Sequence, residues 1–354
     1  AGSSGSECCN FITPSALSCK KMERERPCRL SCGALCVIIL TEEGHLWAFG
    51  LGKKGRLGLG SEENTGLQPI MLQSVKHIRF VDVAAGHWHG AAITEEGELY
   101  TWGSNSHGEL GLDDFENRLQ PCAVEAPGGL RVKKASCGCS FTCIITEDGT
   151  LWSCGSNAHG KLGQGKSTHE RECTFQVVEE LQGKVIVDVS CGMSTAACVD
   201  EDGELYTWGT NAECSLGNPD LSSFKCANQP YHVAVASGLD FTSVSLSKGD
   251  FHVHGLACTR SGDLYSWGSG YKVKTGLGNS QDVEKPTLVT SIREITPVVQ
   301  VHAGGIHSAC VGADQMLYTW GCGSNGRLGH PEAQGKRYLF KEAYPRRVDS
   351  FAGG

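Results

Sequence analysis

Short apolar runs separated by polar, glycine-containing clusters recur along the chain. They fall into register when aligned on one feature, a bulky or apolar residue followed by glycine. That feature stands at Phe49–Gly50, Trp102–Gly103, Cys154–Gly155, Trp208–Gly209, Trp267–Gly268 and Trp320–Gly321, with the glycines 53, 52, 54, 59 and 53 residues apart. A leucine–aromatic pair precedes each: Leu46–Trp47, Leu99–Tyr100, Leu151–Trp152, Leu205–Tyr206, Leu264–Tyr265 and Leu317–Tyr318. Eight residues after the first glycine comes a second behind leucine, at Leu57–Gly58, Leu110–Gly111, Leu162–Gly163, Leu216–Gly217 and Leu328–Gly329. In the fifth copy Leu277–Gly278 arrives two residues late, which predicts a longer turn there. An opening glycine leads each unit at Gly33, Gly86, Gly138, Gly192 and Gly304, with Phe251 in its place in the fifth. Self-similarity at such a period is the mark of a repeat architecture.

Within the second unit the pattern predicts an inner strand at 90–94, a hairpin turn at Glu95-Glu96-Gly97, and strands at 98–102, 123–125 and 131–136. Four short antiparallel strands per repeat make a propeller blade. The strands show little polar alternation, as expected when neighbouring blades cover both faces of each sheet. The fold class is therefore an all-β propeller. It has a leader at 1–27, partly flexible with a possible outer strand, and one propeller domain at 28–354. The repeats run at about 33–85, 86–137, 138–191, 192–248, 249–303 and 304–354. The last unit stops after Tyr344–Val348, which matches a third strand, and residues 28–32 are predicted to supply its missing fourth strand and so close the ring.

The segments Gly86-His87-Trp88-His89, Thr94–Asn105 and Gly108-Glu109-Leu110-Gly111 resemble the signature repeat of the regulator of chromosome condensation family, and the likeness covers about residues 31–350. That family usually has seven blades, and Thr13–Leu17 also resembles a third strand; a seventh blade would need two further strands after Gly354. A propeller whose rim residues vary while its strands repeat is expected to be a protein-interaction module acting as scaffold or regulatory adaptor. The alternative, which the resemblance implies, is a guanine nucleotide exchange factor for a Ran-type small GTPase, with chromatin contact as a further option. The founding member performs exchange with acidic and histidine side chains from rim loops and with an inserted β-wedge. Here the matching positions offer Asp250, His254 and His307, and neither a wedge nor a basic chromatin-binding tail is visible. Relatives that sense ultraviolet-B light gather tryptophans at the opening motif, where this chain has only Trp88.

Composition narrows the picture further. A net charge of −8 does not suit a protein whose main affinity is for phosphate backbones, so direct nucleic-acid binding is not expected. The basic residues Lys20, Lys21, Arg24 and Arg26 alternate with Glu23 and Glu25 and read as a solvated segment. Nineteen cysteines without a secretory signal or glycosylation sequon favour a reducing compartment, cytoplasmic or nuclear, and no apolar run is long enough to cross a bilayer. The first six residues read as a cloning remnant or flexible leader.

Candidate chemistry is sparse. Gly50-Leu51-Gly52-Lys53-Lys54-Gly55 and Gly321-Cys322-Gly323-Ser324-Asn325-Gly326 match a dinucleotide-binding pattern, but each falls in a turn with no helix to hold a pyrophosphate. Gly155–Lys161 approaches a phosphate loop, yet Leu162 stands where a magnesium-binding hydroxyl is required. No cofactor is expected. His87 with His89, or His252 with His254, could pair on a metal, but no third ligand is near in sequence, so no metal is expected either. His89, His254 and His307 share a column with Cys36, Phe141 and Thr195, which argues for buried imidazoles bonding the backbone of a neighbouring strand. Cys32, Cys137 and Cys191 occupy a small buried slot, and Cys8 and Cys9 read as exposed and liable to oxidation. No hydrolase or transferase constellation is present. The residues after each opening glycine vary from copy to copy, which is how a scaffold diversifies a recognition surface. Trp88, His87, Met193 and His252 are the predicted partner-binding residues, and the turns 218–228 and 329–343 offer further contact area.

Overall fold

The computed structural model describes residue 22 and residues 25–349, apart from 166–168, 222–224, 250–251 and 332–339. The predicted strand at 13–17, Cys8, Cys9, Asp250 and Phe251 lie outside the described residues, as do parts of both long turns.

Six four-stranded antiparallel sheets follow one another along the chain, each built from four consecutive strands. They span 27–71, 80–124, 132–177, 186–232, 241–288 and 298–347, numbered here as blades 1 to 6. The first strands of successive blades pack side by side at the centre, so the fold is a six-bladed propeller. The only α-helix among the described residues is Thr290–Arg293, and no helix is long and apolar enough to cross a membrane.

The strands lie where the sequence pattern puts them, but the blades start one strand earlier. Val132–Cys137, read as the last strand of the second unit, is the first strand of blade 3 and pairs with Phe141–Thr146. The same shift overturns the predicted closure. Pro27–Cys32 pairs with Cys36–Thr41 and opens blade 1, while blade 6 completes its own sheet with Lys341–Arg347. A repeat can be cut at any point without changing its period, so the spacing of the motifs carried no information on this phase.

A second correction concerns blade 5. Gly58, Gly163 and Gly217, all at positive φ, sit against the indole of the following blade, where a Cβ would lie 2.5–3.0 Å from Trp102, Trp208 and Trp267. In blade 5 the glycine under Trp320 is Gly276 rather than Gly278. The fifth turn is therefore not longer; Thr275 takes the leucine's place.

The core is divided among the seams. Five apolar clusters each join two successive blades, for example Ile38, Leu40, Leu57, Phe80 and Trp102 between blades 1 and 2, or Leu256, Leu264, Val298, Tyr318 and Trp320 between blades 5 and 6. Burying a large apolar side chain contributes about 1.5–3 kcal/mol, so each seam is a substantial interface. Polar bonds recur beside four of these clusters, all but the one between blades 2 and 3, where Cys154 stands in the tryptophan column. The indoles of Trp102, Trp208, Trp267 and Trp320 donate to the carbonyls of Arg56, Lys161, Ser215 and Lys274 in the preceding blade, at 3.0, 3.0, 3.1 and 2.8 Å. At the shaft, hydroxyls of Ser31, Ser136, Ser190 and Ser245 accept backbone N–H groups of Ala85, Cys191, Leu246 and Ala303 in the next blade.

Among the described residues none of these patterns recurs between blade 6 and blade 1. No core cluster of the described residues joins them, and the strand His307–Gly312 is alternately half-open where its counterparts in blades 2 to 5 are wholly buried. The first strand of blade 1 is exposed along nearly its whole length, with Leu30 63% exposed. Cys32 is exposed for the same reason, contrary to expectation, whereas Cys137 and Cys191 are fully buried.

Candidate binding rim

Each blade turns twice at the same end of the ring. The opening turn and the turn after the third strand lie side by side, joined by a backbone bond from Leu51, Ser104, Ser156, Thr210, Ser269 or Cys322 to the carbonyl of Leu35, Trp88, Ser140, Ser194, Val253 or Ile306, at 2.8–3.0 Å. The glycine-rich segments that mimic nucleotide-binding loops are these second turns, and each folds as a single short 3-10 turn.

Beneath the rim lie buried cations that sequence reasoning missed. Arg56 is 1% exposed and donates from Nη1 to the His87 carbonyl and from Nε to the Lys53 carbonyl, both at 3.1 Å. Lys161 Nζ donates to the Cys139 carbonyl at 2.7 Å, and Lys274 Nζ to the His252 carbonyl. Lys248 reaches from blade 5 to the Ala85 carbonyl of blade 2 at 2.6 Å. These charge-assisted bonds fix the opening turns from below. Burial lowers the pKa of Lys161 and brings that of Lys274 down to about 8. The available signal was a polar or charged residue just before each turn's second glycine motif, in the column Arg56, Glu109, Lys161, Ser215, Lys274 and Arg327. A charged residue beside a glycine turn reads as solvated, so the column was passed over.

The rim residues predicted from sequence fall into two groups. Trp88 is half-buried, with the Arg56 guanidinium 4.0 Å and the Lys54 ammonium 5.3 Å from its ring centroid. His87 stacks on it at 5.0 Å, and the His87 backbone N–H donates to the Gly138 carbonyl in blade 3. Met193 is also half-buried on this rim. On the far side, His252 Nδ1 pairs with both carboxylate oxygens of Glu213 at 2.6 and 2.8 Å, and its ring stacks on Tyr271 at 4.3 Å. These three residues line a shallow groove of about 290 Å³ with Ser269, Lys272 and Asp282. Here the left-handed glycine of other turns is replaced by Cys214 and by Val273, at φ 59° and 58°, so two adjacent turns hold strained backbone.

Two exchange candidates are placed differently. His254 is fully buried, and its Nε2 lies 2.7 Å from Ser308 Oγ in blade 6; His89 and Thr142 Oγ1 repeat the arrangement at 2.8 Å. Each hydroxyl gives its one proton to a carbonyl, of Lys274 or of Glu109, so the imidazole must donate through Nε2. The expected backbone partner is thus a hydroxyl of the next blade, and His254 is withdrawn from any docking surface. Burial holds His254 well below its ordinary pKa and puts His89 and His307 at about 4. His307 has no such hydroxyl opposite, because blade 1 carries Val37 in that column. Among the described residues no group of three His, Cys, Asp or Glu side chains is arranged to hold a metal ion.

Comparison with known proteins accounts for the architecture. A family model described as the RCC1-like domain matches residues 4–354. The chain is 31% identical over 315 residues to the human E3 ubiquitin-protein ligase HERC2, covering 88% of this chain and only 6% of that protein. It is 31% identical over 326 residues to the ultraviolet-B receptor UVR8 of Arabidopsis thaliana, covering 92% of this chain and 72% of the receptor. Among solved structures, human WBSCR16 superposes with a TM-score of 0.80 at 20% identity, over 95% of this chain and 84% of that one. Prp20p of Saccharomyces cerevisiae gives 0.75 at 21% identity, over 92% and 77%. Repeat columns, six consecutive blades and the match along the whole described chain lead to one statement: this chain belongs to the regulator of chromosome condensation family of RCC1-like propellers.

Proposed function

We propose that this propeller is a protein-interaction module, a scaffold or regulatory adaptor of the nucleus or cytoplasm, that docks its partner on the rim carrying Trp88 and His252. The observation that supports this is a contrast between strands and turns: the strands and most seam bonds repeat, while the opening turns differ, and those of blades 2, 3 and 5 are held from below by buried cations. A half-exposed tryptophan on such a rim is the kind of side chain that dominates protein interfaces. A second reading, guanine nucleotide exchange on a Ran-type GTPase, is favoured by the acid–histidine pair Glu213–His252 and by the fold shared with Prp20p, a protein described with its binding to Gsp1p and histones. Exchange would work by differential binding, with rim groups disturbing the nucleotide site of the GTPase.

Both readings are tested together. Pull-downs under mild salt with wild type, Trp88→Ala and His252→Ala should show partners lost from the variants while their circular dichroism is unchanged. A partner set retained by both variants would refute rim docking. Release of fluorescent GDP from a Ran-type GTPase, accelerated by wild type and abolished in Asp250→Ala or His307→Ala, would establish exchange; binding without acceleration leaves the adaptor.

A further inference from the structure

The rim is not uniform. In the third position of the opening turn blades 1 and 2 carry Leu35 and Trp88, whereas blades 3 and 4 carry Ser140 and Ser194. After the third strand blade 1 carries Leu51, where blades 2 to 5 carry Ser104, Ser156, Thr210 and Ser269. Leu35 and Leu51 are 51% and 40% exposed and adjoin each other through the bond from Leu51 N–H to the Leu35 carbonyl. Lys53 follows, exposed, then Lys54, whose ammonium lies over Trp88. Leucines, lysines and indole thus form one continuous strip across the seam of blades 1 and 2.

Resting on the rim reading above, we propose that this strip binds a short acidic segment of a partner protein that also carries one bulky apolar side chain. Charge complementarity carries the choice of occupant. The chain as a whole has a net charge of −8, yet the ionic groups of this strip are Lys53, Lys54 and, against the same indole, Arg56. The adjoining loop, whose backbone packs against Gly52, carries the exposed carboxylates Glu62 and Glu63, and the described residues show no ion pair between them and these lysines. A cationic strip on an acidic molecule draws an acidic partner and repels copies of its own surface. The apolar side chain seats on Leu35 and Leu51 beside an indole already immobilised by its cations, so little side-chain freedom is lost on docking. Carboxylates on either side of it meet Lys53 and Lys54.

The test uses the whole chain and a short fluorescein-labelled peptide in which one phenylalanine is flanked by glutamates, read by fluorescence polarisation. The double charge reversal Lys53→Glu/Lys54→Glu should weaken binding by about tenfold or more, equivalent to about 1.4 kcal/mol. A peptide with serine for phenylalanine should lose affinity similarly, and added salt should weaken binding to wild type. Leu51→Ser serves as a second variant, since its side chain is exposed and outside the core. Equal binding of wild type and the charge-reversed variant, equal binding of a glutamine-for-glutamate peptide, or tighter binding of a labelled single-stranded oligonucleotide would overturn the proposal. If the peptide fails while Trp88→Ala still strips partners in pull-downs, the acidic occupant is wrong and the rim stands. If both fail, rim docking falls with it.

Discussion

The seam between blades 5 and 6 and the place where blade 6 faces blade 1 are built from the same columns of sequence, yet they differ at every contact. In the first, Trp320 is sealed against Gly276 and bonds the Lys274 carbonyl, His254 reaches Ser308, and Ser245 accepts from Ala303. In the second, Arg327 stands exposed in the column of buried Arg56 and Lys274, the ring of His307 meets no hydroxyl among the described residues, and Leu30 faces solvent. Repeat identity is therefore not interaction identity. A residue of the repeat acquires its energetic role from the next blade, and stability is close to a sum over neighbouring interfaces.

The contrast is most easily broken at Trp320. Trp320→Ala removes a fully buried ring and its indole bond, and should cost about 3–5 kcal/mol in urea unfolding. A loss below about 1 kcal/mol would mean that the seam is not where stability resides.

Acid sharpens the comparison. His89, His254 and His307 are held below their ordinary value of 6.5, so the folded state binds fewer protons than the unfolded chain. Their stabilisation is complete above about pH 6.5 and is lost as pH falls toward 4, by up to about 3 kcal/mol for a group shifted that far. His89→Phe, which copies Phe141 of blade 3, should flatten this acid limb in unfolding midpoints measured between pH 7 and pH 4.5. An unchanged limb would show that the internal seam does not carry the titration.

The smallest effect is expected on the open side. Arg327→Ala should change stability by no more than about 0.5 kcal/mol, because among the described residues no blade covers that side chain. A larger loss would reveal an interface on blade 6 that the described residues do not contain.

The strand positions, the leucine–aromatic column and the tryptophan–glycine column were legible because they follow from a period and from bulk apolar character. Phase was not: whether 132–137 ends one blade or begins the next depends on hydrogen bonding, which the spacing leaves undetermined. Gly276 was missed in favour of Gly278 because Leu277 imitates the leucine of the other copies, although contact with Trp320 selects the glycine. Of the rim, His87 and Trp88 could be read as neighbours in sequence. Their clamp could not, since Arg56 and Lys54 arrive from the preceding blade, and Glu213 meets His252 from another.

Lys248 gives the ring an internal spoke. Its ammonium joins the inner edge of blade 5 to that of blade 2, three blades away, so the two edges are braced across the centre. A load applied to the inner edge of blade 2 is thereby shared with the opposite side of the wheel.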